Sequence, residues 1–206
     1  MIINIENRFN EIDRDQIGKL AFDAYHAKLK WICSSNNDFT LNLLKEALNP
    51  ETTLVARDET GKIVGYCAFE TTQQFPVSEG LKRALKNIPL WRQIFLSFFE
   101  HKCKKGEFYI SMIVADANVR GQGIGSKLLH EAYEVAKGMG CEYASLNVIY
   151  ENASAKKLYN REGFVDTKKI NLCCCLPYFY NHTLTGADFL VKNLSLNEKE
   201  ISKSSI

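Results

Sequence analysis

The sequence predicts a single mixed α/β domain. Its 206 residues correspond to about one domain, at roughly 150 residues per domain. Hydrophobic residues make up 46% of the chain, which suffices for a sizeable buried core. Segments with the two-residue period of strands alternate along the chain with segments that have the helical period. We assign the domain to residues 1–196 and a polar C-terminal tail to residues 197–206.

Periodicity and turn signals place each element of the N-terminal part. Asp13 is expected to cap the first helix, with Gln16 in the capping-box position. Pro50 ends the second helix, and a turn at 58–61 joins the next two strands into a hairpin. The predicted elements are a strand at 2–5, helices at 13–29 and 41–48, and strands at 53–56 and 62–69.

A helical insert is predicted between this hairpin and the next strand, at about residues 76–106. The insert is rich in aromatic residues, and its two stretches of helical spacing meet at Pro89. A basic run at 102–105 ends it. We expect the insert to pack on the core or on a neighbouring subunit. A lid over a substrate pocket is the alternative.

Strands and helices alternate in the C-terminal part. The strand at 108–115 is strongly apolar, the helix that follows has one apolar face, and Gly163 ends a second, shorter helix. The predicted elements are a strand at 108–115, a helix at 123–138, a strand at 143–149, a helix at 153–160, and strands within 165–180 and 188–194.

Charge and hydropathy argue against several classes of protein. The chain has 26 Lys and Arg against 24 Asp and Glu, a net charge of +2, whereas proteins that coat nucleic acid or anionic membranes usually have a concentrated basic surface. No stretch reaches the roughly 18 uncharged apolar residues of a membrane span. We therefore expect neither a nucleic-acid partner nor a membrane partner.

The cysteines indicate a reducing cellular compartment and predict neither a metal site nor a cysteine nucleophile. There are seven, without a C-x-x-C pair, so no metal site is expected. No cysteine stands beside a readable His and Asp pair, which argues against a cysteine nucleophile. Free thiols and the lack of a readable secretory signal favour a cytoplasmic protein.

A glycine-rich loop between a strand and a helix is the most informative motif. It runs from Arg120 to Ser126 and contains Gly121, Gly123 and Gly125. Glycines leave backbone N–H groups open to a ligand, and a helix start attracts anions. The spacing fits neither the P-loop nor the dinucleotide fingerprint. The loop predicts a phosphate site, most naturally for a pyrophosphate, or simply a tight turn.

Two sequence blocks of fixed spacing lie in the C-terminal part of the chain. Arg120, Gly123 and Gly125 match the pattern Q/R-x-x-G-x-G/A. The pattern N-x-x-A-x-x-L-Y-x-x-x-G-F is matched by Asn152, Ala155, Leu158, Tyr159, Gly163 and Phe164. Both blocks resemble those of the GNAT superfamily of acetyl-CoA-dependent N-acetyltransferases. The resemblance is close over 107–165, looser over 2–69, and gives no help with the insert.

The resemblance implies both a fold and a cofactor. The fold is a central, mostly antiparallel mixed β-sheet, splayed between its fourth and fifth strands, with helices on both faces. Acetyl-CoA is the implied cosubstrate, with its pantetheine arm in the splay and its pyrophosphate on the glycine loop. The implied contacts are Ile113, Val114, Ala115, Arg120, Gly121, Gln122, Gly123, Ile124, Gly125, Ser126, Asn152 and Tyr159.

Two groups of the implied site have a chemical role. The N–H of Ile113 is expected to donate to the thioester carbonyl, where negative charge develops. Tyr159 matches the family tyrosine that can protonate the leaving thiolate, although it could instead be a core residue. Asn152 is placed both to contact the cofactor and to cap the helix that follows.

The group that deprotonates the amine is less determined. Period-two alternation puts Glu107 and Tyr109 on the strand face of Ile113. Some family members place a glutamate base where this chain has Tyr109. Glu107 acting through water is the first choice, followed by Glu70 and His182. An amine that arrives neutral would need no base.

These observations predict a cytoplasmic acetyltransferase. It would move an acetyl group from acetyl-CoA to a primary amine, on a small molecule or on a peptide or protein, by direct attack in a ternary complex. A non-catalytic acyl-CoA sensor on the same fold and a purely structural partner protein are the alternatives. The sequence leaves a homodimer open.

Overall fold

The computed structural model describes residues 2–29, 36–74, 101–171 and 186–195. Most of the predicted insert, His182 and the tail at 197–206 lie outside these residues. The insert and the domain boundary at 196 therefore stay predictions. Residues 101–106, at the end of the predicted insert, form a non-helical loop that leads into the next strand.

The order of elements is the predicted one, with boundaries shifted by a few residues. In chain order the elements are β1 (Asn4–Glu6), α1 (Arg14–Leu29), α2 (Asn37–Ala47), β2 (Thr53–Arg57), β3 (Ile63–Glu70), β4 (Glu107–Ala115), α3 (Ile124–Gly138), β5 (Tyr143–Ile149), α4 (Ala153–Arg161), β6 (Val165–Asn171) and β7 (Gly186–Asn193). Short 3-10 turns lie at Glu11–Asp13, Pro50–Thr52 and Ala117–Val119.

The predicted cap of the first helix is wrong. A 3-10 turn precedes α1, and its cap is Asn10, whose backbone N–H donates to the Asp13 carboxylate at 3.1 Å. Asp13 also accepts a bond from Arg57 at 2.7 Å, which holds the start of α1 against β2. Gln16 instead accepts a hydrogen bond from the N–H of Ile63 at 3.4 Å. The helical run thus begins at a local cap, while long-range partners hold Asp13 and Gln16 against the sheet.

Seven strands form one mixed sheet in the order β1-β2-β3-β4-β5-β7-β6. The β4–β5 pair is parallel and the other pairs are antiparallel. Pairing of β4 with β5 runs from Glu107–Tyr143 to Ile110–Leu146, while β4 continues to Ala115 and β5 to Ile149. The predicted splay between the fourth and fifth strands is confirmed.

Helices cover both faces of the sheet, as predicted. On one face α3 and α4 pack on a large apolar cluster that includes Phe108, Leu128 and Tyr159. On the other face α1 and α2 pack on a second cluster that includes Ile17 and Tyr66. We call these the α3/α4 face and the α1/α2 face. Because the two strands part between these layers, the splay opens a gap in the sheet.

A β-bulge interrupts β4 at Ser111. Ala68 of β3 pairs with Met112, whereas the next residue, Phe69, pairs with Ile110. Ser111 is therefore an extra residue in β4. Such a bulge breaks the strict alternation of side chains between the two faces of a strand.

The bulge reverses the faces predicted for the second half of β4. Ile113 packs with the α3/α4 cluster and Met112 with the α1/α2 cluster. Phe108 belongs to the α3/α4 cluster, so its neighbours Glu107 and Tyr109 point to the α1/α2 face. The expectation that Glu107 and Tyr109 share a face with Ile113 is wrong, because alternation alone does not count the extra residue at Ser111.

Candidate active site

The glycine loop is open to solvent at the start of α3. Gly121 and Gly123 have φ angles of +79° and +77°, a region that few residues other than glycine adopt. Both are exposed, and a Cβ placed on either would meet no atom within 4 Å. The loop is therefore an open turn that a ligand can approach along its backbone.

The first turn of α3 offers backbone donors to that ligand. The first N–H groups of an α-helix have no partner within the helix, and here they include those of Ile124, Gly125 and Ser126. The cap residue is Gly123, which has no side chain that could accept hydrogen bonds from these N–H groups. A Cβ on Gly125 would lie 2.9 Å from Leu158 Cδ2, so glycine lets α3 approach α4 closely. The arrangement is suited to an anion.

Two cations border this helix start. Arg120 is exposed at the mouth of the loop. Arg161, at the end of α4, donates to Ser126 Oγ at 3.3 Å. The sequence motifs identified Arg120 and missed Arg161, whose position depends on how α4 packs beside α3. Both charges would favour a phosphate group here.

The unpaired part of β4 carries the predicted oxyanion donor. The backbone N–H of Ile113 donates to the hydroxyl of Tyr25, which reaches it from α1. Burial raises the pKa of Tyr25 to about 12, with a further increase from the Cys67 thiol, and the Ile113 bond opposes the rise. Sequence periodicity had placed Tyr25 only on the buried face of a helix. A hydroxyl oxygen thus occupies the bonding position expected for the thioester oxygen.

Tyr159 lies in the apolar cluster of the α3/α4 face. Its side chain is 6% exposed, and its ring meets Phe164 edge-on with a centroid distance of 5.8 Å. Burial, and then the nearby Tyr25 and Cys67, hold the pKa of Tyr159 well above its usual range. The phenol is therefore protonated at neutral pH and can serve as a proton donor.

Asn152 caps α4. Its Oδ1 accepts a hydrogen bond from the backbone N–H of Ala155 at 3.2 Å, and Ser154 Oγ donates to the same oxygen at 3.1 Å. The predicted capping role is confirmed. Contact of Asn152 with the cofactor stays a prediction.

Glu107 is the centre of a buried polar cluster on the α1/α2 face. It is 2% exposed, and its Oε1 accepts a hydrogen bond from Ser145 Oγ and lies 2.9 Å from His101 Nε2. The backbone N–H of Lys104 donates to Oε2 at 2.7 Å. Burial alone would raise the pKa of Glu107, but these hydrogen bonds lower it. The side chain is therefore an ionised carboxylate with both oxygens in use.

Tyr109 connects this cluster to the gap. Its hydroxyl accepts a hydrogen bond from Asn147 Nδ2 at 3.0 Å. Asn147 follows Leu146, the last residue of β5 that pairs with β4. The ring of His101 stacks on the Tyr109 ring with a centroid distance of 4.0 Å. Burial raises the pKa of Tyr109, and the Asn147 bond opposes the rise. Neither His101 nor Asn147 belongs to a motif that the sequence shows.

An apolar cavity lies on the α1/α2 face, beside the bulge. Its volume is about 190 Å³, and Glu70 and Ser111 are among the residues that line it. The remaining lining residues, from α1, α2 and the sheet, are Ala21, Leu44, Ala47, Leu48, Asn49, Thr53, Ala68 and Met112. The cavity could hold a small apolar group beside the bulge in β4.

The described residues contain neither a metal-ligating cluster nor a membrane-spanning helix. Over 2–29, 36–74, 101–171 and 186–195, no three His, Cys, Asp or Glu side chains are grouped so that they could hold a metal ion. In the same ranges, no helix has the length and apolar character that crossing a bilayer requires.

A mixed sheet that splays between its two parallel strands, with helices on both faces, is an acetyltransferase type of fold. Residues 15–164 match the Acetyltransferase (GNAT) family. The chain belongs to this family, which confirms the resemblance that the two sequence blocks indicate.

Curated relatives and solved structures agree with this assignment. N-alpha-acetyltransferase MAK3 of Arabidopsis thaliana is 33% identical over 112 residues, covering 48% of this chain and 54% of the relative. The crystal structure of an N-acetyltransferase from Staphylococcus aureus Mu50 has a TM-score of 0.65 at 22% identity, over 92% of this chain and 100% of that one. The NatC complex bound to Gag peptide and CoA has a TM-score of 0.57 at 21% identity, over 95% and 100%.

The matches to the curated relatives cover only part of those proteins. The chain spans about half the length of the curated relatives it matches. The likeness to the solved structures, at the identities given, shows the fold.

Proposed function

We propose that this chain transfers an acetyl group from acetyl-CoA to a primary amine by direct attack in a ternary complex. The observation that carries the proposal is the gap between β4 and β5, which leads to the open glycine loop at the start of α3. A thioester in this gap would have its carbonyl beside the N–H of Ile113. Family membership supports the same reaction.

The proposed cofactor site follows the gap outward. The pantetheine arm would bond the backbone of Ile113–Ala115, and the pyrophosphate would accept hydrogen bonds from Gly121–Ser126. Arg120 and Arg161 would add positive charge at the diphosphate. Asn152, at the start of α4, would contact the cofactor from the side of β5.

The chemistry requires two groups near the thioester. The Ile113 N–H, now bonded to the Tyr25 hydroxyl, would donate to the carbonyl oxygen as it gains negative charge. Tyr159 would give its proton to the thiolate as the carbon–sulfur bond breaks. Glu107 is the first choice of base from the sequence, but both of its carboxylate oxygens already accept hydrogen bonds, so it would assist deprotonation of the amine through a neighbouring group.

We propose the α-amine of a polypeptide as the acceptor. The matching curated relatives include proteins named N-alpha-acetyltransferase. The apolar cavity beside Ser111 would receive the first side chain, and the amine would then lie at the gap. A first residue of leucine size suits a cavity of about 190 Å³.

We also propose that the protein works in the cytoplasm. The described cysteines, Cys67, Cys103 and Cys141, are free thiols, which suits a reducing compartment. A homodimer stays a prediction.

Calorimetry with acetyl-CoA, followed by turnover measurements, tests the proposal. Tyr159→Phe is expected to lower kcat about 100-fold and to leave the Kd of acetyl-CoA nearly unchanged. Tyr133→Phe is the matched control, because Tyr133 is buried in the same cluster and its hydroxyl has no hydrogen-bond partner among the described residues. No binding at millimolar acetyl-CoA would refute the proposal. Tight binding without transfer to any amine would instead identify an acyl-CoA sensor.

A further inference from the structure

His101 lies in the loop before β4, and the mechanism above leaves it without a role. Its Nε2 is 2.9 Å from Glu107 Oε1. Its ring stacks on Tyr109 at 4.0 Å and near Phe189 of β7 at 5.6 Å between centroids. The side chain is 18% exposed, whereas that of Glu107 is 1% exposed. A buried carboxylate thus holds a partly accessible imidazole by one ring nitrogen.

The partner of Nε2 fixes the tautomer of the neutral ring. Glu107 is ionised, because the hydrogen bonds it accepts lower its pKa, and a carboxylate can only accept hydrogen bonds. Nε2 of His101 therefore carries the hydrogen, and Nδ1 carries the lone pair. A carboxylate that orients an imidazole in this way also stabilises the imidazolium that forms when Nδ1 takes a proton.

His101 lies on the acceptor side of the gap. It stacks on Tyr109, whose hydroxyl bonds to Asn147, and Asn147 is where β5 leaves β4. The apolar cavity opens on the same α1/α2 face, next to Ser111. An amine attacking the thioester from this cavity would meet the His101 side of the sheet, opposite to Tyr159.

Glu107 is less suited to take the proton itself. Its two oxygens already accept three hydrogen bonds, and its lowered pKa makes it a weak base at neutral pH. In His101, by contrast, the contact with Glu107 uses Nε2 and leaves the lone pair of Nδ1 outside this pair. Among the residues that the structure describes, the other titratable groups around this cluster are Tyr109, Tyr143, Cys103, Cys141, Glu70 and Glu142.

We propose that His101 accepts the proton that the acceptor amine loses, and that Glu107 is its positioning residue. The inference rests on the proposed acetyl transfer. The amine nitrogen bonds to the thioester carbon, and its proton passes to His101 Nδ1. The tetrahedral intermediate then expels the thiolate, which takes a proton from Tyr159. Solvent restores the proton on Tyr159 and removes the one on His101, so atoms and charge balance.

The test compares His101→Gln with His130→Gln in the full chain. His130 of α3 is a matched control, because its Nε2 also lies beside a carboxylate, 2.8 Å from Glu162 Oε2. Its side chain is 65% exposed. The probes are acetyl-CoA and a peptide that begins with leucine, and kcat/KM is measured from pH 5 to 9. His101→Gln is expected to lower kcat/KM about 100-fold at neutral pH and to abolish the ascending limb of the profile. His130→Gln should stay within about twofold of the wild type.

A structural role for His101 would give other results. Added imidazole should restore part of the activity of His101→Ala if the lost group is a base, and should restore none if the loss is one of folding. A wild-type pH profile in His101→Gln, or no rescue by imidazole, overturns the inference. If the wild type does not bind acetyl-CoA in calorimetry, the proposed function fails first.

A measurement without turnover keeps the inference testable if no acceptor is found. The ¹⁵N spectrum of the histidine rings should show His101 with its hydrogen on Nε2 in the wild type, and a mixture of tautomers in Glu107→Gln. A hydrogen on Nδ1 in the wild type would overturn the assignment of Nδ1 as the proton acceptor.

Discussion

Replacing Gly123 with alanine should weaken the binding of acetyl-CoA, and a control can separate this effect from the cost to folding. Gly123 has a φ of +77°, and a Cβ there meets no atom within 4 Å. The methyl group therefore clashes with nothing, and the cost to folding is that of the left-handed backbone, about 1–2 kcal/mol.

Gly61 provides a control with the same strain. It has a φ of +84°, and its added Cβ also meets no atom within 4 Å, but it lies in the turn between β2 and β3. Both Gly61→Ala and Gly123→Ala should lower the melting temperature by about 2–8 °C, because 1 kcal/mol corresponds to about 2–4 °C in a domain of this size.

The two variants should differ in affinity for acetyl-CoA. At Gly123 the methyl group stands where the diphosphate would approach the α3 N–H groups, and loss of one hydrogen bond to a charged group costs about 1.5–3 kcal/mol. We expect Kd to rise about 10- to 150-fold for Gly123→Ala and to stay within about twofold for Gly61→Ala. Calorimetry at a temperature where all three proteins are folded measures both. Equal Kd values for the two variants would refute the placement of the diphosphate on the glycine loop.

Two further predictions concern Tyr25 and Asp13. Tyr25→Phe frees the Ile113 N–H, whose bond to the hydroxyl must break before it can bind a thioester carbonyl. Acetyl-CoA should therefore bind about 2- to 10-fold more tightly, whereas the affinity for CoA, which lacks the thioester carbonyl, should not change. Calorimetry with both ligands checks this, and an equal gain in affinity for the two ligands would contradict it. Burial would raise the pKa of Asp13, but hydrogen bonds from Arg57 and Asn10 lower it below its ordinary value of 3.8. Its contribution to the free energy of unfolding is therefore present above about pH 4 and disappears as the pH falls through the folded-state pKa. In urea unfolding, Asp13→Asn should therefore lose more stability at pH 7 than at pH 3, and an equal loss at both would show that the charge of Asp13 contributes nothing.

Local sequence patterns are sufficient to predict those parts of the candidate site that lie within one continuous segment. The glycine loop and the start of α3 follow from the spacing between Arg120 and Ser126, because turn geometry and helix caps are properties of neighbouring residues. Tyr159 could be found in the same way, since its block also specifies α4. The predicted positions of both agree with the structure.

The other parts depend on contacts between distant segments. The bulge at Ser111 is visible only in the pairing of β3 with β4, so period-two alternation assigned Glu107 to the wrong face. His101 and Tyr25 enter the site from a loop and a helix that no motif covers. Arg161 reaches Ser126 only because α4 packs against α3. A single sequence has no signal for such approaches.

The bulge has a consequence for the direction of proton flow. Because it separates Glu107 and Tyr109 from the face of Ile113, the acid and the base of the proposed reaction lie on opposite faces of one sheet: Tyr159 with α3 and α4, His101 with the acceptor cavity. The two groups meet only through the gap where β4 and β5 part. A protonated phenol and an imidazole lone pair in direct contact could exchange a proton without any chemistry. With the thioester between them, a proton can leave on the amine side and another be delivered on the sulfur side as the acetyl group moves across, so the sheet itself keeps the two roles apart.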